Sequence, residues 1–155
     1  MSYEFARLEM LIGENGIQKL KGSSVAIFGI GGVGSYSAET LARSAVGKII
    51  LVDFDKISES NINRQIHSLK STVGLNKAEV MGERIKDINP ECEVIKEINL
   101  LKENNIKEFF EKYNPDFVID AIDMVKTKAM LIEYCSQNNI NIISSMGFGN
   151  KMFPE

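Results

Sequence analysis

Short apolar runs rich in branched residues alternate along this chain with longer amphipathic stretches. Such alternation is typical of strand and helix units that feed a parallel sheet. It predicts strands at residues 25–28, 49–52, 94–95, 117–119 and 142–143, and helices at residues 34–44, 76–88, 103–113 and 125–138. The expected fold class is therefore α/β, with a mainly parallel sheet that carries helices on both faces.

Residues that disfavour helix follow each predicted helix: Gly47, Asn89-Pro90, Asn114-Pro115 and Asn138-Asn139. Residues 3–20 read as one or two short helices broken at Gly13, a helical preface that the sheet does not require. Because no repeat or linker divides the sequence, we expect one domain over residues 1–155, with residues 1–20 as its preface.

The composition limits the function classes. A chain of 155 residues with 44% hydrophobic and 25% charged residues can form a single core. The formal net charge of -3 gives the surface as a whole no electrostatic footprint for a polyanion. Tight binding of nucleic acid by this chain alone is therefore disfavoured.

The cysteines and the N-terminus bear on the compartment. Cys92 and Cys135 lie far apart, which favours two reduced thiols over a disulfide framework or a zinc site. The N-terminus carries an early acid and lacks the apolar core of a secretory signal, and no stretch approaches the roughly 20 apolar residues of a membrane span. These features predict a cytoplasmic protein without a membrane span.

A glycine-rich loop follows the first predicted strand and opens directly into a helix. Its residues Gly29, Gly31 and Gly34, with Gly32 between them, fit G-x-G-x-x-G, and Asp53 ends the second strand. Glycines allow a tight turn close to a phosphate, the helix N-terminus supplies N–H groups, and an acid at that strand end commonly holds ribose hydroxyls. The loop predicts a Rossmann-like nucleotide site. By itself it does not distinguish a dinucleotide from ATP, and it would favour a nicotinamide or flavin enzyme.

Polar residues beyond the second strand bear on that choice. Asn61, Arg64 and Gln65 follow the strand closely, and Lys77 stands at the start of the next helix. A helix N-terminus largely satisfies a pyrophosphate, whereas a triphosphate that is cleaved needs several cations aimed at it. Arg64 and Lys77 therefore favour ATP.

Two carboxylates, Asp120 and Asp123, close the fourth predicted strand. Hard cations take one or two protein carboxylates together with phosphate oxygens. The outer residue, Asp123, is the candidate Mg²⁺ ligand, and Asp120 is expected to cap or to be structural.

These motifs resemble, in the same order, those of the ATP-dependent adenylating enzymes of the ThiF, MoeB and ubiquitin-activating type. They are Gly-x-Gly-Gly-Val-Gly-Ser, Asp-Phe-Asp, Asn-Ile-Asn-Arg-Gln, the downstream lysine and Asp-Ala-Ile-Asp, and the resemblance covers essentially the whole chain. Asn-Ile-Asn-Arg-Gln-Ile-His, Ile-Asn-Pro-Glu-Cys and Val-Ile-Asp-Ala-Ile-Asp are most similar to the bacterial tRNA threonylcarbamoyladenosine dehydratase branch. Sulfur-carrier activators usually show Asn-Leu-Gln-Arg-Gln instead.

The resemblance implies roles for the candidate residues. Asp53 would bind the ribose, and Gly31 and Gly32 would let the backbone approach the nucleotide. The phosphates would be neutralised by Asn61, Arg64 and Lys77. Asp123 would organise Mg²⁺ and the α-phosphate.

Two further residues acquire expectations from the resemblance. Arg7 matches an arginine that reaches across a homodimer into the partner's ATP site, which would explain the helical preface. His67, the only histidine, is expected to have a structural or tRNA-near role rather than to act as a general base.

The implied reaction is attack of a substrate carboxylate on the α-phosphate of ATP, which gives an acyl-adenylate and pyrophosphate. In the dehydratase branch the carboxylate belongs to a threonylcarbamoyl group on an anticodon-loop adenosine of tRNA, and intramolecular displacement of AMP closes a ring. Three alternatives stay open: a ubiquitin-like sulfur carrier as the substrate, a nicotinamide-binding oxidoreductase, and a non-catalytic nucleotide-binding module.

The chain departs from this family near its C-terminal end. Family members normally continue into further strands and a crossover loop, so we expect the family's C-terminal part to be absent. The turn at residues 147–150 resembles the loop after the fifth strand, but Phe153 stands where the branch usually has Asp before Pro. A chain shortened in this way could bind ATP without turning it over.

Overall fold

The structure, a computed structural model, describes residues 3–147. Its strands are β1 (Ser24–Phe28), β2 (Lys48–Val52), β3 (Glu93–Glu97), β4 (Phe117–Asp120) and β5 (Ile142–Ser144). They form one sheet in the order β3-β2-β1-β4-β5, in which every neighbouring pair is parallel. The predicted strands are all present.

The helices are α1 (Ala6–Lys21), α2 (Gly34–Arg43), α3 (Lys77–Ile88), α4 (Ile106–Tyr113) and α5 (Val125–Gln137). Short 3-10 turns cover Tyr3–Phe5 and Glu59–Asn61. The helix expected from residue 103 begins at Ile106. A separate turn precedes it, in which the Asn105 side chain accepts the Lys102 N–H at 2.7 Å.

Helices cover both faces of the sheet, which confirms the predicted fold class. Val25 and Ile27 of β1 point to one face, where they join a core cluster that includes residues of α2 and α3. Ala26 and Phe28 point to the other face and pack in a cluster with residues of α4 and α5. Because both faces are buried at the centre of the sheet, β1 and β2 read as continuous apolar runs in the sequence.

The N-terminal preface is helical and broken at the predicted residue. Gly13 interrupts α1 with φ +73°, a left-handed value that glycine adopts without steric cost. The preface packs on the rest of the domain through Phe5 and Ile17, which form a small cluster with Ala45. Met10 and Leu11 remain exposed.

Of the turn expected at residues 147–150, only Gly147 falls within the described part of the chain, and Phe153 lies outside it. Within residues 3–147, none of the helices combines the length and apolar character needed to cross a membrane.

Candidate functional site

A pocket of about 470 Å³ opens at the carboxyl ends of the central strands. It is lined by the glycine loop after β1, the end of β2 and the segments that follow β3, β4 and β5. This edge is where open parallel sheets bind ligands. The predicted site residues that line the pocket are Gly29, Gly31, Gly32, Asp53, Arg64, Gln65, Lys77 and Asp123. Three others, Gly34, Asn61 and Arg7, do not line it.

The glycine loop needs its glycines for close backbone packing. Gly29 has φ +87°, and a Cβ there would stand 2.7 Å from the carbonyl oxygen of Ala121. A Cβ on Gly34 would stand 1.8 Å from the Gly29 carbonyl oxygen. By contrast, a Cβ on Gly31 would have only Gln65 Nε2 within 4 Å, at 3.8 Å. Gly34 therefore shapes the loop from outside the pocket, whereas Gly31 keeps the pocket surface open.

Asp53 joins the end of β2 to the glycine loop. Its Oδ2 accepts the Ile30 N–H at 2.6 Å, and its Oδ1 accepts the Asp55 N–H at 2.8 Å. Burial raises the pKa of Asp53, although these two backbone N–H groups act to lower it. Because each carboxylate oxygen can accept more than one hydrogen bond, the side chain can also receive ligand hydroxyl groups.

Lys77 brings a nearly buried positive charge to the pocket. Its Nζ donates to Asp55 Oδ2 at 2.9 Å, and its backbone N–H donates to the Asp55 carbonyl oxygen at 3.0 Å. Lys77 is only 6% exposed, so the pocket is one of the few directions from which another anion can approach it. Sequence reasoning missed Asp55, although its place in Asp-Phe-Asp puts it two residues after the ribose candidate.

Arg64 brings a second positive charge. Its Nη1 donates to the Ser60 carbonyl oxygen at 2.7 Å and to Asn63 Oδ1 at 3.0 Å. Its backbone and side-chain stem lie beside Gly32. The guanidinium has five N–H donors, so these two contacts leave it able to bind phosphate oxygens.

Gln65 and Asn61 differ in what they offer a ligand. Gln65 Oε1 is buried in the pocket wall and has no hydrogen-bond partner among the described residues, so it can accept from a ligand donor. Asn61 turns its side-chain oxygen to the Ser58 N–H at 3.0 Å, and its carbonyl oxygen accepts the N–H groups of Arg64 and Gln65. In this structure Asn61 shapes the turn that presents those two residues.

The two strand-end carboxylates have different surroundings. Asp123 is exposed and lines the pocket. Asp120 is fully buried and pairs with Lys128 Nζ at 2.7 Å, so its expected structural role agrees with its place. Within residues 3–147, no group of three or more His, Cys, Asp or Glu side chains could hold a metal ion. A cation at Asp123 would therefore need ligand oxygens as well.

His67 is 2% exposed and cannot contact a macromolecule directly. Burial, with the nearby charges of Lys77 and Arg84, lowers its pKa to about 4, so the ring is neutral at pH 7. This favours the structural alternative that the sequence left open for His67.

Comparison with known proteins gives the family. The sequence model of the ThiF family matches residues 5–152. The chain is 49% identical over 154 residues to a tRNA threonylcarbamoyladenosine dehydratase of Bacillus subtilis, with 99% of this chain and 60% of that protein covered. It is 43% identical over 150 residues to the Escherichia coli protein of the same name, with 97% of this chain and 56% of that protein covered.

A solved structure agrees with these relatives. The E. coli tRNA N6-threonylcarbamoyladenosine dehydratase TcdA in complex with ATP superposes with a TM-score of 0.93 at 43% identity, and covers 97% of this chain and 62% of its own. The chain thus spans between 56% and 60% of the length of these two curated relatives.

Proposed function

The chain belongs to the ThiF family, and on that premise we propose that it binds ATP in the pocket at the carboxyl edge of the sheet and activates a carboxylate as an acyl-adenylate. One observation carries this proposal: Lys77 and Arg64 line the same pocket as the glycine loop and Asp53. The loop and the acid suit a nucleotide, and the two cations suit a triphosphate that loses pyrophosphate.

In this proposal the nucleotide lies along the glycine loop. Asp53 accepts hydrogen bonds from the ribose hydroxyls, while Arg64 and Lys77 neutralise the phosphates. Gly31 and Gly32 line the pocket without side chains, so the phosphates can approach the backbone there. Gln65, whose Oε1 has no hydrogen-bond partner within residues 3–147, is available to a hydroxyl or amine of the bound nucleotide or substrate. Asn61 contributes through the turn that it stabilises.

Asp123 fits the chemistry of a Mg²⁺ ligand in this arrangement. Mg²⁺ is commonly bound through one or two carboxylates and substrate phosphates, and it keeps several waters. The exposed carboxylate of Asp123 lines the pocket and can supply the protein's share of that set. Bound Mg²⁺ would neutralise phosphate charge.

We assign the carboxylate to the threonylcarbamoyl group on an adenosine of tRNA, because two relatives at 49% and 43% identity carry that activity in their names. A carboxylate oxygen attacks the α-phosphorus, the bond from that phosphorus to the β-phosphate bridge breaks, and pyrophosphate leaves. An oxygen or nitrogen atom of the carbamoyl part of the same group then attacks the activated carbonyl carbon, a proton passes to solvent, and the bond from that carbon to the phosphate oxygen breaks. AMP leaves with one of the original carboxylate oxygens, and a ring closes. The adenosine loses one water in net terms. Positioning and charge neutralisation supply the catalysis.

The proposal extends to the assembly. Residues 1–155 form one nucleotide-binding domain, and residues 1–20 serve as a dimer preface through which Arg7 enters the partner's ATP site. Two observations are consistent with this assignment: Arg7 is exposed and lies outside the pocket of its own chain, and Met10 and Leu11 beside it are exposed apolar residues. We propose the cytoplasm as the compartment of this protein, because a tRNA substrate is available there.

Exchange of labelled pyrophosphate into ATP tests the proposal and its alternatives. We expect exchange in the presence of tRNA that carries threonylcarbamoyladenosine, and none with unmodified tRNA. Exchange stimulated by the Gly-Gly end of a ubiquitin-like carrier instead would assign the sulfur-carrier activity. NADH binding that excess Mg-ATP does not displace would assign an oxidoreductase. ATP binding without exchange under any condition would leave a nucleotide-binding module.

A further inference from the structure

Lys128 and Asp120 form a buried ion pair next to the pocket wall. Lys128 is 8% exposed, Asp120 is 0% exposed, and neither lines the pocket itself. Lys128 lies on the face of α5 that also carries the buried residues Leu131 and Cys135. A charge at such a position is costly unless it is paired and hydrogen-bonded, so this lysine stands where packing alone would select an apolar residue.

The pair joins two segments that line the pocket. Asp120 Oδ1 accepts the Ile122 N–H at 3.0 Å, while its Oδ2 accepts the Ser144 hydroxyl at 2.5 Å. Lys128 Nζ also donates to the carbonyl oxygen of Ser145 at 2.8 Å. The segment after β4 and the segment after β5 are therefore held by the same two side chains.

The first of these segments is also packed against the glycine loop. The Ala121 N–H donates to the Phe28 carbonyl oxygen at 2.8 Å, and the Ala121 carbonyl lies where Gly29 has no room for a Cβ. Asp123 follows two residues later and lines the pocket. Its distance from the glycine loop thus depends on how residues 121–123 are fixed, and Asp120 contributes through its bond to the Ile122 N–H, while Lys128 holds the Asp120 carboxylate in place.

We propose that Lys128 and Asp120 are positioning residues for the ATP site: their ion pair sets residues 121–124 and 145–147 in place relative to the glycine loop. This inference rests on the proposed function for its ligand. It predicts that loss of the pair displaces Asp123 and weakens binding of Mg-ATP, while adenosine, which lacks phosphates, is held nearly as well.

The test compares Lys128→Met with Lys126→Met, a lysine exposed on the first turn of the same helix. Affinities for Mg-ATP and for adenosine are measured by calorimetry. Lys128→Met should weaken the binding of Mg-ATP by about tenfold, as is typical when a group that orients a metal ligand is removed. It should change adenosine affinity far less, and Lys128→Arg should restore most of the Mg-ATP affinity. An equal loss of affinity for both ligands, or no loss of affinity for either, overturns the proposal.

Two further measurements keep the test decisive. Amide hydrogen exchange without nucleotide should rise in Lys128→Met at residues 121–124 and 145–147 and stay unchanged in β1 to β3. A uniform rise in amide exchange, or no rise, overturns the proposal. Because this readout needs no nucleotide, it applies even if the wild-type chain binds no ATP, a result that would remove the proposed function instead.

The double variant Asp120→Asn/Lys128→Met removes both charges of the buried pair, so it should fold with a Tm near wild type and still bind Mg-ATP weakly. Wild-type affinity in that variant overturns the proposal.

Discussion

Lys77 is bonded to Asp55 through both its side chain and its backbone. The Nζ to Oδ2 distance is 2.9 Å, and the Lys77 N–H reaches the Asp55 carbonyl oxygen at 3.0 Å. The Asp55 N–H in turn donates to Asp53. A short chain of bonds therefore fixes the candidate phosphate lysine relative to the candidate ribose acid.

Replacing Lys77 with Met should weaken ATP binding by about 10- to 100-fold, because a charged hydrogen bond to phosphate is lost. Lys107→Met is the matched control, since Lys107 is an exposed lysine on α4 whose Nζ lies 3.7 Å from Glu111 Oε1. Calorimetric titration with ATP measures both variants. Equal affinities for the two would remove Lys77 from the ATP site.

Two glycine variants should separate pocket shape from loop stability. Gly34→Ala places a Cβ 1.8 Å from a backbone oxygen and should lower the free energy of unfolding by about 3 kcal/mol. Gly31→Ala meets no such contact, so its unfolding midpoint in denaturant should stay near wild type. Its Cβ crowds the pocket, and we expect ATP affinity to fall about tenfold. A stable Gly31→Ala protein with full ATP affinity would contradict this account of the loop.

The fold was predictable because both faces of the sheet are covered. The apolar runs of β1 and β2 can be recognised directly in the sequence. By contrast, β3 covers Glu93–Glu97 and is longer than the predicted residues 94–95. Its polar ends are strand because they pair in register with Lys48 and Val52 of β2. That pairing is a tertiary contact, and local pattern does not contain it.

The site was predictable as a set of strand-end residues but not as a set of side-chain directions. Asn61 follows the second strand as expected, yet its side chain satisfies the Ser58 N–H instead of lining the pocket. Local bonds of this kind compete with ligand contacts, and sequence spacing does not reveal which wins. The sequence does indicate that Lys128 is buried, because it lies three residues before Leu131 and seven before Cys135, a spacing that puts all three on the same buried face of the helix.

Asp123→Asn should reduce the gain in ATP affinity that Mg²⁺ provides, because the amide is a poorer ligand for a hard cation than the carboxylate. ATP affinity measured with and without Mg²⁺ gives that gain for wild type and variant. Asp87→Asn, an exposed acid on α3, is the control and should behave as wild type. An unchanged Mg²⁺ dependence in Asp123→Asn would assign the cation elsewhere.

His67 should make the protein less stable as the pH falls. Its folded pKa is about 4 against 6.5 for the free side chain, so between these values the unfolded chain binds the proton and the folded one does not. The free energy of unfolding begins to fall as the pH drops below about 6.5, and the decrease reaches about 2 kcal/mol at about pH 5. Urea unfolding of wild type and of His67→Gln across this pH range measures the contribution of His67 to this decrease. Parallel curves for the two proteins would contradict the lowered pKa.

Arg7 should act on the pocket of a partner chain. Arg7→Ala should dimerise as wild type does in sedimentation, yet bind ATP about tenfold more weakly. A mixture of Arg7→Ala and Lys77→Met should regain tight sites that neither variant has alone, because mixed dimers contain one pocket with both residues intact. A mixture that shows only the weak affinities of its components would place Arg7 outside the site.

The most direct measurement is mass spectrometry of tRNA that carries threonylcarbamoyladenosine after incubation with the chain and Mg-ATP. The proposed function predicts that the modified adenosine loses the mass of one water while AMP and pyrophosphate form in equal amounts, and that Lys77→Met abolishes both changes. A modified adenosine of unchanged mass, with ATP intact or hydrolysed to ADP, would contradict it.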